Sequence, residues 1–381
     1  MSRQTPILLT PGPITVSQPV MDAMCFDYNP GDGELRAKLA EIQRYVLEVG
    51  NALDTHYCVP LQGSATFGVE AALFACVPPD GKVLVVNNGF YGVRSKEIVE
   101  GIRRKVATFD CDGFLPPDLD ALGRAIDADP AITHVFVCHC ETGSGALNPA
   151  AEIAKLAKAR GKGIIVDAIA AYGAMDLDVG GLGLDAVLVS PNKCFEGVPG
   201  IALPVIRKDI LAASEGRSPS YSLDLWGRWR QYEEGNGHMR FTPVGHVIAA
   251  LHKAMEIHRA EGGVPARRAK YERNWSRLVN GLRQQGIRLV IPDEVACPII
   301  ATFHRPSDPA FDFARFFQAL KAKGYWIFNG KLTAIPTFRI GCMGDVSEAD
   351  MGGLVQAVAE TLEEMGVRER GPAGAAALAA E

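Results

Sequence analysis

Pairs of cysteines at the Cys-x-x-Cys spacing of zinc and redox sites are missing from this 381-residue chain, although it holds nine cysteines. The nine are Cys25, Cys58, Cys76, Cys111, Cys138, Cys140, Cys194, Cys297 and Cys342, an odd number. Several, such as Cys76 and Cys138, stand in apolar runs where a reduced thiol packs as a small hydrophobe. No surplus of positive charge exists either: 39 Lys plus Arg face 44 Asp plus Glu, a formal net charge of −5. That balance gives no general pull toward nucleic acid or anionic membrane, so any bound anion must be held by a local site. No apolar run approaches the roughly 20 residues needed to span a bilayer, and Met1-Ser-Arg-Gln-Thr-Pro6 lacks the apolar core of a signal peptide. A cytoplasmic enzyme without a metal is expected. Nucleotide binding is disfavoured, because no Gly-Lys-Ser/Thr closes a phosphate loop and no Gly-x-Gly-x-x-Gly follows a strand.

What is present is an alternation. Lys82–Asn87, His134–His139, Gly163–Asp167, Asp185–Ser190 and Ile201–Ile206 read as short, continuously apolar strands. Helical patterns lie between them, around Val93–Ile102 and Pro149–Arg160. Apolar strands alternating with helices predict an α/β fold with a mostly parallel sheet covered on both faces. Ligands in such sheets bind beyond the carboxyl ends of the strands. From about Phe241 the character changes to longer helices (Val247–Glu261, Arg268–Gly286, Ser347–Met365) and short strands near Ile299–Phe303 and Phe338–Gly341. The expected division is a large domain over 15–245, a smaller α+β domain over 246–366 completed by 1–14, and a disordered tail over 367–381.

Chemistry-bearing residues gather at the predicted strand ends. The third strand ends in Asp167, and the fourth leads into Ser190-Pro-Asn-Lys193 before a Gly/Pro-rich turn. The 26 residues from Asp167 to Lys193 suit one parallel crossover, so an acid and a lysine end neighbouring strands at one edge. Pyridoxal phosphate asks for that pair: a lysine that holds the cofactor and a carboxylate that keeps the ring nitrogen protonated. Each residue taken singly is more often a helix cap or a solvated turn lysine. Gln62-Gly-Ser64-Ala65-Thr66 precedes a helical run, where small residues turn N–H groups toward an anion, or Ser64 simply caps the helix. Tyr91, between Gly89 and Gly92 just after a strand, can lie against a ring. Thr142 follows the second strand. Arg339, in the apolar strand Phe338–Gly341, is costly to bury unless it meets a carboxylate, a phosphonate or an internal acid.

Taken in order, these segments resemble the fold-type I aminotransferases of class V, the small-substrate group with alanine–glyoxylate and serine–glyoxylate enzymes. The resemblance runs from Leu8 to about Gly366. It is carried by Leu61-Gln-Gly-Ser64, Glu141-Thr142 with Leu147-Asn-Pro149, Val166-Asp167, Asn192-Lys-Cys194 with Gly197-Val-Pro-Gly200, Ser222-Leu-Asp-Leu225, Arg240-Phe-Thr242 and Phe338-Arg-Ile-Gly341. It implies pyridoxal phosphate held by Lys193 as Schiff-base lysine, with Asp167 on the ring nitrogen. It further implies Tyr91 stacked on the ring, Ser64, Ala65 and Thr66 at the phosphate, and Thr142 beside the ring. Thr242 matches a position that reaches a neighbouring subunit's cofactor phosphate, so a homodimer with shared sites is implied. Arg339 matches the arginine that anchors the substrate's acid group, and the substrates are an amine and a 2-oxo acid. The chain departs from the family pattern at Ala65-Thr66, after Asp167 (Ala-Ile-Ala-Ala), over Phe26–Glu34, and at Phe328-Asn-Gly-Lys331. A lyase or desulfurase on the same fold is the rival chemistry, with Cys342 as its candidate thiol.

Overall fold

The computed structural model describes residues 6–31, 33–331 and 335–372. Its centre is a seven-stranded sheet in the order His56–Cys58, Val205–Arg207, Ala186–Leu188, Gly163–Asp167, Ile132–Cys138, Lys82–Asn87, Lys105–Asp110. The five strands from Ala186–Leu188 to Lys105–Asp110 run parallel. Val205–Arg207 runs against both of its neighbours. Side chains alternate between two apolar layers: Val135, Val137, Ile164 and Val166 enter one cluster, while Val83, Val85, Phe136 and Ile165 enter the other. Burial on both faces explains why these strands read as unbroken apolar runs.

The predicted strand over 201–206 needs correction. Ile201–Ala202 pairs with Leu61–Gln62, whereas Val205–Arg207 joins the central sheet. Pro204 stands between them and offers no N–H to a ladder, so the run breaks and changes sheet. The short Ile201–Ala202 pairing has a use, because it fixes the turn at Gly63–Ser64.

A second core holds Ile7 and Leu9 together with Leu278, Phe303, Phe316, Phe338, Leu354 and Val358. It packs helices against an antiparallel sheet in the order Ile300–His304, Thr337–Gly341, Phe328–Asn329. Ile7–Leu8 pairs in parallel with Tyr325–Trp326, and Ile7 and Leu9 enter this core. The helix Gly245–Ala260 does not belong to it. Its Ile248, Leu251 and Met255 sit in the core of the large sheet, so the two cores part after this helix rather than at 245/246. Nor is the chain loose from 367: Arg368 and Glu369 donate their N–H groups to Asp308, and the Gly371 carbonyl accepts from Ser307. The rest of the expected tail, 373–381, lies outside the described residues. Among the described residues no helix is long and apolar enough to cross a membrane.

Candidate active site

Strand order brings Asp167 and Lys193 together. Gly163–Asp167 and Ala186–Leu188 are adjacent and parallel, with Asp167 opposite Leu188, so both strands point the same way toward one edge. Asp167 is buried, and its Oδ1 accepts the Ile169 N–H at 3.0 Å. Burial raises its pKa, against the opposing pull of that N–H and of the cations Arg94 and Lys193. Lys193 is half-buried and donates to the Pro11 carbonyl, in a slot kept open because Gly12 has no side chain. Burial lowers its pKa to about 8; nearby Cys194 and Asp167 push the other way, and Arg339 and Arg94 push it further down. One amine thus senses Asp167, Arg94 and Arg339 together. Among the described residues no cluster of His, Cys, Asp and Glu could hold a metal ion.

Two helices begin at this sheet edge and differ in what fills their N-termini. Ser64 is the extended N-cap residue of the helix Ala65–Cys76, yet its hydroxyl makes no capping bond. Gly63 precedes it at φ +125°, a conformation that favours glycine, and its N–H is tied to the Gly200 carbonyl. The uncapped turn at Ser64, Ala65 and Thr66 can therefore receive an anion such as a phosphate. The second helix, Phe90–Gly101, already has its anion. Oε2 of Glu141 accepts the N–H groups of Tyr91 (2.8 Å) and Gly92 (3.3 Å), and its Oε1 accepts that of Gly143 (2.8 Å).

Tyr91 sits in the first turn of that helix, with the Arg94 guanidinium 4.4 Å from its ring centroid. Thr142 is buried beside Glu141, and its carbonyl accepts Nη1 of Arg339 at 3.1 Å. Arg339 itself is 1% exposed and donates through Nε to the Asn329 carbonyl (3.0 Å). No carboxylate hydrogen-bonds to this guanidinium among the described residues, so the internal salt bridge weighed from sequence is not what holds it. Burial instead lowers its pKa, and its remaining attraction is available to a ligand's acid group. Thr242 is exposed, and its carbonyl accepts from Gln62, whose Oε1 in turn accepts from Arg228. Cys342, the candidate thiol of the rival chemistry, is fully buried and its pKa is pushed up by that burial. It is a packing residue.

Three participants escaped the sequence reading. Glu141 shares the signature used for Asp167, an acid closing an apolar strand region, and could have been found by it. Arg94 follows Tyr91 by one turn of the same helix, and its buried Nε has no partner among the described residues. Arg267 had no signal. It stands in a charged helix beside Arg268, yet Arg267 is fully buried against Glu196 and the Cys194 carbonyl while Arg268 is exposed.

A parallel sheet with a lysine and an acid at adjoining strand tips, an open helix N-terminus and a buried arginine defines a fold-type I enzyme fitted for pyridoxal phosphate. The family model described as "Aminotransferase class-V" matches residues 33–335, and the chain belongs to that family. It is 44% identical over 367 residues to a 2-aminoethylphosphonate–pyruvate transaminase of Pseudomonas fluorescens (strain Pf0-1), covering 96% of this chain and 99% of that one. A protein of the same name from Rhizobium meliloti (strain 1021) is 44% identical over 363 residues, 95% of this chain and 94% of the relative. In fold the chain is similar to the ureidoglycine–glyoxylate aminotransferase of Bacillus subtilis, with TM-score 0.87, 23% identity and coverage of 100% and 98%. Pyridoxamine–pyruvate aminotransferase from Mesorhizobium loti gives TM-score 0.85 at 23% identity, covering 97% and 95%.

Proposed function

We propose that the chain moves the amino group of 2-aminoethylphosphonate to pyruvate with pyridoxal phosphate as cofactor, yielding phosphonoacetaldehyde and alanine. One observation carries the reading. Lys193 follows the strand Ala186–Leu188, whose parallel neighbour ends in the buried Asp167, so an amine and a buried carboxyl share one sheet edge. The full-length likeness to transaminases of that name supports the choice of substrates.

When bound, pyridoxal phosphate supplies a ring that accepts electrons from the carbon bearing the amine. The residues of the chain do the rest. Lys193 would hold the cofactor through Nζ, and the same amine, when free, would serve as the base for the proton on the substrate carbon. Its lowered pKa suits that task, because a larger fraction is unprotonated near neutral pH than for an exposed lysine. Asp167 would keep the ring nitrogen protonated, and Tyr91 would pack against the ring. Ser64, Ala65 and Thr66 would hold the phosphate with N–H groups and the hydroxyls of Ser64 and Thr66, and Thr142 would lie beside the ring. Arg339 grips the phosphonate in one half-reaction and the carboxylate in the other, through the geometry its guanidinium shares with both anions. The exposed Thr242 reaches a partner subunit's phosphate in a homodimer, which sedimentation at twice the chain mass would support.

The test is a pair of half-reactions. Purified protein loaded with pyridoxal phosphate is mixed with 2-aminoethylphosphonate alone, and the change in the cofactor's visible band is followed. Pyruvate should then restore the band and release alanine. Alanine and serine with glyoxylate serve as competing pairs. A faster response to those, or full turnover by Lys193→Ala, would overturn the proposal.

A further inference from the structure

The carboxylate of Glu141 is enclosed by backbone from two segments. Its side chain is fully buried and receives three N–H groups, from Tyr91, Gly92 and Gly143. Room for it exists only because two residues lack side chains. A Cβ on Gly89 would stand 2.6 Å from its carboxyl carbon, and one on Gly143 would stand 2.8 Å from Oε1. A hydrogen-bonded carboxylate at the start of a helix also meets the positive end of the helix dipole.

What this carboxylate joins gives it a role. On one side it grips the first turn of Phe90–Gly101, which presents Tyr91. On the other, its own chain continues into Thr142, whose carbonyl accepts from Arg339, and Gly143, whose carbonyl accepts from Thr302 at 3.2 Å. Thr302 and Arg339 are register partners on adjacent strands of the second sheet. The segment 141–143 thus ties the aromatic platform of the large sheet to the arginine anchor of the small one. We propose that Glu141 is a positioning residue that sets Tyr91 and Arg339 relative to each other, so that cofactor ring and substrate acid group are held in register. This rests on the transaminase reading above. Glu141 would take no part in the bond changes; it acts through Tyr91 and through the Thr142 carbonyl.

The surroundings fit that role. Burial raises the Glu141 pKa to about 7, opposed by its three N–H bonds and reinforced by the charge of Asp167. Arg339 feels the Glu141 charge as well. The group therefore answers to both ends of the site.

Glu141→Ala, Glu141→Gln and Gly89→Ala in the full-length protein test the proposal. Gly89→Ala displaces the carboxylate without changing its chemistry. Glu141→Gln keeps one oxygen for Tyr91 and Gly92 but turns an amide NH2 toward the Gly143 N–H. Loss of a hydrogen-bonded charged group of this kind translates to about 10- to 100-fold. Glu141→Ala should still take up pyridoxal phosphate, lose more than half of the circular dichroism of the cofactor's visible band, and raise KM for both 2-aminoethylphosphonate and pyruvate by about 10-fold or more. Its kcat should fall less. Gly89→Ala should show the same pattern, and Glu141→Gln should recover part of both signals. Wild-type dichroism and KM in Glu141→Ala would overturn the inference; if that variant does not fold, the same result in Gly89→Ala would do so. Failure of the transaminase reading shows separately, as wild-type protein that binds no pyridoxal phosphate.

Discussion

Arg267 and Glu196 meet at 3.3 Å in a fully buried contact, and together they pin the turn that carries Lys193. Arg267 Nη1 donates to the Cys194 carbonyl at 2.7 Å, one residue past the lysine. Glu196 Oε1 also accepts from Lys270 (3.0 Å), Tyr271 (2.7 Å) and the Gly344 N–H (3.2 Å). Glu196 adopts φ +59°, an uncommon conformation for a residue with a side chain, and these partners hold it there. The turn after Ala186–Leu188 is therefore anchored to the helix Gly263–Gln284 and to the strand end beyond Arg339.

Removing one member of such a buried pair leaves the other charge short of compensation. Arg267→Ala should lower stability by about 3–5 kcal/mol. Denaturant midpoints of wild type and variant measure it. A midpoint unchanged within error would mean that Lys270 and Tyr271 alone satisfy Glu196.

The amine of Lys193 should react with pyridoxal phosphate at lower pH than an ordinary lysine. Its folded pKa of about 8 lies below the usual value of 10.5, because burial disfavours the charged form. The uptake rate by cofactor-free protein should rise through a midpoint near pH 8. Linkage gives the sign for stability. Between about pH 8 and 10.5 the unfolded chain keeps a proton the folded one has lost, so this lysine's contribution grows as pH rises across that window. Below pH 8 the cost of burying the charge is fully present. Stopped-flow uptake and pH-dependent melting, each repeated on Lys193→Met, read both effects; a midpoint near 10.5 would contradict the assignment.

Arg339→Lys keeps the charge and discards the planar fork. Truncating a buried partner of an anion costs about 2–5 kcal/mol, and lysine restores only the point charge. KM for pyruvate should rise by roughly 10- to 100-fold in the lysine variant, with a smaller fall in kcat. Steady-state kinetics at saturating amine decide it, and an unchanged KM would remove Arg339 from the anchor role.

Much of this arrangement was legible because buried parallel strands write themselves as apolar runs. Gly163–Asp167 stood out for that reason, and with it the acid at its tip. Lys193 followed from the crossover length, and Arg339 from the oddity of a guanidinium among Phe, Ile and Gly. The misread strand at 201–206 shows where composition fails, since Pro204 looks like part of an apolar run but cannot donate to a ladder. The helix Gly245–Ala260 shows another limit: an amphipathic face announces burial without naming the core that receives it. Glu196 and Arg267 were invisible for a third reason. Their contact spans a long loop closure and depends on a positive φ, neither of which a local pattern records.

The pairing of Ile7–Leu8 with Tyr325–Trp326 bears on how the chain is born. At about 5–20 residues per second, the opening segment leaves the ribosome on the order of tens of seconds before its companion exists. Through that interval Ile7–Leu8 lacks its partner strand. Tyr325–Trp326 must therefore be made before the segment that carries the Pro11 carbonyl can take its place beside Lys193.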